Sequence, residues 1–381
     1  MIYLDNAATT YPKPASVVAA VTRAMTEAGG NPGRSGHTLS MRAGEEVYAC
    51  REAVASLYGA RAEQVVFTQN ATQALNLSIR ALAREGGHIL ISDLEHNAVR
   101  RPVAALGRER GGSWGIFPTG QGDPEQVRRE IVRRLRRNTC LVVCTQASNL
   151  TSHRPPVAAI GALCRERGIP FVVDASQSAG SCSADLDALG ADALCAPGHK
   201  GLYGPMGCGF ALFSRRYLEE GGERLRPLLY GGSGVDSRPE RMPSLLPERL
   251  EAGTLPVCAI AGLRAGVEMV RTLGQDQIHA HACGLFHRMR QGLEEIGGVT
   301  VYRPDEAGGV LLFSVRDRES EQIAAELDAR GICVRAGLHC APLAHRTLGT
   351  PPDGAVRISF SVYSTEEEVE EALAALRDVI G

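Results

Sequence analysis

Through the first two hundred residues, apolar runs of strand length alternate with helical patterns. That alternation restricts the fold more than any other feature of the chain. Residues 64–68, 88–92, 140–144, 170–174 and 192–195 read as strands, and 14–28, 40–58, 71–84 and 157–168 as helices. Strands separated by helices belong to βαβ units, whose parallel sheet is covered on both faces. The expectation is an α/β fold with a doubly wound, mostly parallel sheet. Ligands of such sheets lie at the carboxyl ends of the strands. The residues that follow each run are therefore the ones to read for chemistry. They include Asn70-Ala71-Thr72, Glu95-His96, Ser148-Asn149, Asp174-Ala175-Ser176-Gln177 and Gly198-His199-Lys200.

The texture changes near Gly253. Helical patterns at 256–273, 277–296 and 319–330 mix with strand-like runs at 309–315, 332–335 and 355–360. The last helix opens at Ser364, with Glu367 three residues on, which has the spacing of a capping box. The stretch 228–251 is rich in Gly, Pro, Ser and Arg and reads as a loop or linker. The expected organisation is a large domain at 14–252. A smaller α/β domain then combines residues 1–13 with 253–381.

Several function classes drop out on composition. A net charge of −2 gives no overall field toward nucleic acid or an anionic membrane. The arginine-rich run 128–137 carries Ile131, Val132 and Leu135 at helical spacing, so its arginines read as the solvent face of a helix. No apolar stretch has the length of a membrane span, and the first residues lack the pattern of a secretory signal. Eleven scattered cysteines without a C-x-x-C pair read as reduced thiols, and the expected location is the cytoplasm. No metal site is expected.

Among the 41 basic residues only Lys13 and Lys200 are lysines. A guanidinium replaces an ammonium as a solvated charge but not as an amine that must attack a carbonyl. Lys13, between Pro12 and Pro14, reads as a rigid exposed turn with no mechanism. Lys200 follows a buried strand in a Gly/Pro-rich loop. Asp174 at a strand end is a partner for a protonated ring nitrogen. Asn70-Ala71-Thr72 at a helix start attracts a phosphate. His96 is placed to lie over an aromatic ring or to move protons. Each residue alone has an ordinary structural reading. Jointly they form the set that a pyridoxal phosphate (PLP) site requires.

Tyr3-Leu4-Asp5-Asn6-Ala7-Ala8-Thr9-Thr10, Glu95-His96, Val173-Asp174-Ala175-Ser176-Gln177, Gly198-His199-Lys200 and Arg335-Ala336-Gly337-Leu338-His339-Cys340 together resemble the cysteine desulfurases and selenocysteine lyases. These belong to the class V aminotransferase group of fold-type I PLP enzymes. The resemblance runs through nearly the whole chain. It implies that Lys200 holds the cofactor covalently and acts as the base once freed. It also implies that Asp174 pairs with the pyridine nitrogen, Gln177 bonds the phenolic oxygen and His96 stacks on the ring. Ala71, Thr72 and His199 would bind the phosphate, with Thr254 arriving from the partner of a homodimer. Asn149, Arg357 and Arg335 would hold the substrate, and Cys340 would accept its sulfur as a persulfide. The implied reaction converts L-cysteine to L-alanine, with sulfur passed to an acceptor protein, as in iron–sulfur cluster assembly. L-Selenocysteine as substrate, or a class V reaction that leaves Cys340 idle, stays open.

Two departures accompany the resemblance. Pro197 stands where many relatives have serine, and Gly201 is an extra residue after Lys200. A sulfur nucleophile must be a thiolate, which favours an exposed, electropositive loop. Arg335 and His339 are the neighbours expected to supply that charge. Arg357 lies inside an apolar strand, where it needs a counter-ion: a substrate carboxylate or a structural acid.

Overall fold

The computed structural model describes residues 1–33, 36–235, 237–303 and 305–380. Its largest sheet has seven strands, in the spatial order Val65–Thr68, Gly209–Phe213, Ala193–Pro197, Phe171–Asp174, Thr139–Thr145, His88–Ser92 and Ser113–Phe117. Only Gly209–Phe213 runs against the others. Inner strands are buried at every position because successive side chains feed opposite cores. Val142 and Cys144 pack on one face and Leu141 and Val143 on the other. This accounts for the continuous apolar runs in the sequence.

Three elements of this layer escaped the sequence reading. The helix Asn97–Glu109 contains Pro102, and the strand Ser113–Phe117 is only half-buried at an edge. Gly209–Phe213 follows a Gly-rich loop that masks its start. The last of these matters most. It pairs antiparallel with Ala193–Pro197, Pro197 opposite Gly209, so Lys200 sits in the connection of a hairpin. The stretch 228–251 holds no helix or strand among its described residues, as a linker should.

A second, antiparallel sheet is ordered Arg335–Gly337, Ala355–Ser359, Val310–Val315 and Val299–Tyr302. The run expected as one strand at 332–335 is broken at Val334. Ile332–Cys333 pairs instead with Ile2–Tyr3 at the amino end. The capping box at the last helix is displaced by one residue. Thr365 Oγ1 accepts from Glu368 N–H while Glu368 accepts from Thr365 N–H, both at 3.1 Å.

The helix Val257–Leu273 packs Val257, Ile260, Leu263 and Val267 into the large-sheet core. A boundary at 252/253 would separate that helix from the layer it covers. We propose that the large unit continues to Leu273, while Ile2 and Leu4 share the core of the smaller sheet.

Candidate active site

The strand ends of the large sheet converge on a cavity of about 550 Å³. Ala71, Thr72, His96, Asn149, Asp174, Gln177, His199 and Lys200 all line it, as does Pro197. Strand order explains the convergence. Asp174, the residues after Ser92, and the residues after Thr145 end three neighbouring parallel strands on the same edge.

One end of the cavity is built for an anion. The helix Ala71–Leu82 starts there, capped by the Asn70 side chain, which accepts from Gln73 N–H at 2.9 Å. Unpaired N–H groups in a first turn carry partial positive charge. His199 Nδ1 is buried without a hydrogen-bond partner among the described residues. Burial, aided by the Lys200 and Lys13 charges, lowers this imidazole to about 4, so it is neutral at pH 7. Pro197 supplies no side-chain donor, and the helix start with Thr72 and His199 provides the donors that remain.

The floor is acidic. Asp174 is 3% exposed. Its Oδ1 accepts from Ser176 N–H at 2.9 Å and from Ser176 O–H at 2.5 Å. Its Oδ2 has no partner among the described residues, and the residue lines the cavity. His96 caps the helix Asn97–Glu109 through Nδ1, which accepts from Ala98 N–H at 3.0 Å. That bond leaves the proton on Nε2. Burial lowers the imidazole to about 4, so it meets a ligand as a neutral ring. Gln177 donates one amide hydrogen to the Ala7 carbonyl at 3.1 Å, leaving a second donor.

Lys200 makes no side-chain hydrogen bond among the described residues. Burial, reinforced by the Arg357 guanidinium, lowers its amine from the ordinary value to about 8, while Asp174 opposes the shift. An amine with that value loses its proton far more readily than a surface lysine. Gly201 is required by packing. A Cβ there would lie 2.3 Å from the Ala179 carbonyl oxygen.

Arg357 is 2% exposed and is held by a structural acid. Its Nη2 donates to Asp5 Oδ1 at 2.7 Å and its Nη1 to the Asn149 carbonyl at 3.2 Å. Its Nε is buried without a partner among the described residues, beside the structural ion pair.

Cys340 is the exposed one of the eleven cysteines. Its loop is pinned to the cavity wall at two carbonyls. Asn97 N–H donates to Cys340 O at 2.7 Å, and Asn149 Nδ2 donates to His339 O at 3.0 Å. His339 and Cys340 both take left-handed backbone angles, φ 49° and 55°, a conformation non-glycine residues adopt only when surroundings impose it. His339 does not supply positive charge to this loop. It is buried against His345 at 3.2 Å, and burial lowers it to about 3. Of the two expected cations this leaves Arg335, exposed on the preceding strand.

The family-model comparison decides the assignment: the aminotransferase class-V description matches residues 2–372. The chain belongs to the class-V aminotransferase family. Its curated relatives include a probable cysteine desulfurase of Methanothermobacter thermautotrophicus, 33% identical, with 100% of this chain and 95% of that protein covered. A cysteine desulfurase of Serratia proteamaculans is 29% identical over 100% of this chain and 93% of its own. Among solved structures, the apo cysteine desulfurase of Thermococcus onnurineus superposes with a TM-score of 0.88 at 30% identity, covering 100% and 94% of the two chains.

Four residues implied by the resemblance, Thr254, Arg335, Cys340 and Arg357, are not among those lining this cavity. Thr254 lines a neighbouring cavity with Asn70 and His199, not the one that contains Lys200. In and around the cavity are residues whose roles sequence reasoning overlooked. Ser176 orients Asp174. Glu95 is buried with Oε1 accepting from Ser92 O–H and Thr145 N–H, and burial with nearby Asp174 raises it to about 8. Lys13 is half-buried and donates to the His199 carbonyl. The reading of Lys13 as an exposed turn is corrected. Ser176 and Glu95 lay inside quoted motifs, but their bonds depend on neighbours that only folding supplies.

Proposed function

We propose that this class-V protein is a PLP-dependent cysteine desulfurase, acting on L-cysteine and passing its sulfur to Cys340. The observation that carries the proposal is the pairing of two features on one cavity. A partly shielded amine of lowered basicity lines the cavity, and an exposed thiol rides on a loop bonded to Asn97 and to Asn149, which lines the same cavity. The residues fit PLP on their own chemistry. There is a helix start with an orphaned His199 nitrogen for a phosphate, and a free carboxylate oxygen on Asp174 for a ring nitrogen.

When bound, the cofactor withdraws electrons from the substrate Cα and makes its proton removable. Lys200 holds the cofactor, and its freed amine takes and returns that proton. The N–H groups of the helix start, Thr72 and His199 hold the phosphate, and the partner subunit's Thr254 completes the grip. Asp174 keeps the ring nitrogen protonated, Gln177 donates to the phenolic oxygen, and His96 covers the ring face. Asn149 and the free Nε of Arg357 orient the substrate carboxylate, with Arg335 adding positive charge. Cys340 Sγ, as thiolate, attacks the substrate sulfur; the Cβ–Sγ bond breaks, its electron pair stays on Cβ, and protonation there gives L-alanine beside a Cys340 persulfide. This reading carries a homodimer, a cytoplasmic setting and an acceptor protein for the persulfide, with iron–sulfur cluster assembly as the consuming process.

The test starts with the visible spectrum of the purified protein, followed by assays of sulfide and alanine on addition of L-cysteine. A yellow protein that releases alanine, and whose Cys340→Ser variant loses sulfur transfer, is expected. A colourless protein would end the PLP reading. Full activity in Cys340→Ser would take the thiol out of the mechanism. L-Selenocysteine assayed in parallel separates a desulfurase from a selenocysteine lyase.

A further inference from the structure

The peptide linking His199 to Lys200 is held by an unusual concentration of donors. The His199 carbonyl accepts from Thr10 N–H at 3.1 Å, Thr9 O–H at 3.1 Å, Thr10 O–H at 3.2 Å and Lys13 Nζ at 2.8 Å. Lys13 Nζ also donates to Thr10 Oγ1 at 2.8 Å, and the one Thr10 hydroxyl hydrogen is shared between the His199 and Lys200 carbonyls, each at 3.2 Å. The shortest of the bonds to the His199 carbonyl comes from a charged donor, the strong kind. Lys200 itself has no side-chain bond to aim it, so the direction of its amine depends on how firmly this peptide is fixed.

We propose that Lys13 is a positioning residue whose ammonium clamps the His199 carbonyl and so fixes the peptide from which the Lys200 amine projects. Lys13 does not line the cavity and touches no reacting group. It acts through the backbone on either side of His199. The clamp arrives from a remote stretch of sequence, since residues 5–13 run as a strap across the site. Asp5 is tied to Arg357, the Ala7 carbonyl to Gln177, and Lys13 to His199. Thr9 and Thr10 are neutral donors on the same carbonyl. They retain its position in part when the charge is removed, so the effect is graded.

The inference rests on the PLP reading for its kinetic arm only. Hydrogen exchange is measured on cofactor-free protein, for wild type, Lys13→Met and Lys13→Arg. In Lys13→Met the peptides covering 4–13 and 198–204 are expected to exchange about tenfold faster or more, with the rest of the chain unchanged. In cofactor-loaded protein, kcat on L-cysteine is expected to fall roughly tenfold to a hundredfold. KM is expected to stay within about twofold, because substrate contacts are untouched. Lys13→Arg keeps a charged donor and is expected to recover most of both losses. Wild-type exchange and kcat in Lys13→Met would overturn the proposal. So would an equal loss in Lys13→Arg, or faster exchange spread over the whole chain. A colourless wild type inert on L-cysteine would defeat the PLP reading alone, and the exchange arm would still judge the clamp.

Discussion

Replacing Lys200 by Met should stabilise the cofactor-free protein while abolishing its chemistry. The amine sits at about 8 in the folded chain against an ordinary value of 10.5. Below pH 8 the folded state carries a proton it holds poorly, and that depresses stability. Between pH 8 and 10.5 the folded amine is neutral while the unfolded one is still charged. The unfolded state then binds more protons, and stability rises with pH. Above 10.5 both are neutral and the penalty has gone. At about 1.4 kcal/mol per pKa unit the full difference is on the order of 3–4 kcal/mol. The side chain is only partly shielded, so solvent in the cavity reduces this to about 2–3 kcal/mol. Lys200→Met removes the penalty, so urea unfolding of the cofactor-free protein at pH 7 should show a gain of about 2–3 kcal/mol. The gain should shrink steadily between pH 8 and 10.5. A variant no more stable than wild type at pH 7, or a gain independent of pH, would refute the reasoning.

Two further outcomes follow from buried charge. Arg357→Lys loses the free Nε donor and the forked geometry that spans Asp5 and the Asn149 carbonyl. KM for L-cysteine should rise about tenfold or more, with a smaller change in kcat. In Glu251→Ala, Arg51 loses a buried partner that holds it at 2.9 and 2.6 Å and also accepts from Phe67 N–H at 2.5 Å. Unfolding experiments should show a loss of about 3–5 kcal/mol, against a far milder change in the double variant Arg51→Met with Glu251→Met.

The large sheet was legible because its signal is local. Strands buried on both faces are apolar at every position, and the residues after them sit on one edge whatever the loops do. Asp174, His96 and Lys200 could therefore be picked as neighbours from the sequence. What escaped was set by tertiary context. The antiparallel strand Gly209–Phe213 is an ordinary short apolar run, and nothing in its sequence states its direction. His339 looked like a source of positive charge beside Cys340, because an imidazole is half-charged near neutral pH. Burial against His345 removes that charge, and burial is not written in the neighbouring residues. Arg357 needed a counter-ion on any reading. Its structural partner is Asp5, 352 residues away, and its Nε is left buried without a partner among the described residues.

The amino-terminal strap unites these long-range features. Tyr3 pairs with Cys333, Asp5 neutralises Arg357, Asn6 Nδ2 donates to the Ser359 carbonyl at 3.0 Å, and Lys13 reaches His199. The segment thus touches the arginine proposed to bind substrate and the peptide that carries the proposed cofactor lysine. A shift of the smaller sheet relative to the large one cannot leave both contacts unchanged. The motif at residues 3–10 is explained by this geometry without any catalytic group in it. Asp5 is a counter-ion, Asn6 a backbone tie, and Thr9 and Thr10 donors to one carbonyl. Lys13 completes the set just beyond the motif. The two lysines of an arginine-rich chain therefore meet at the same peptide, one on the carbonyl of His199 and the other borne by the next residue.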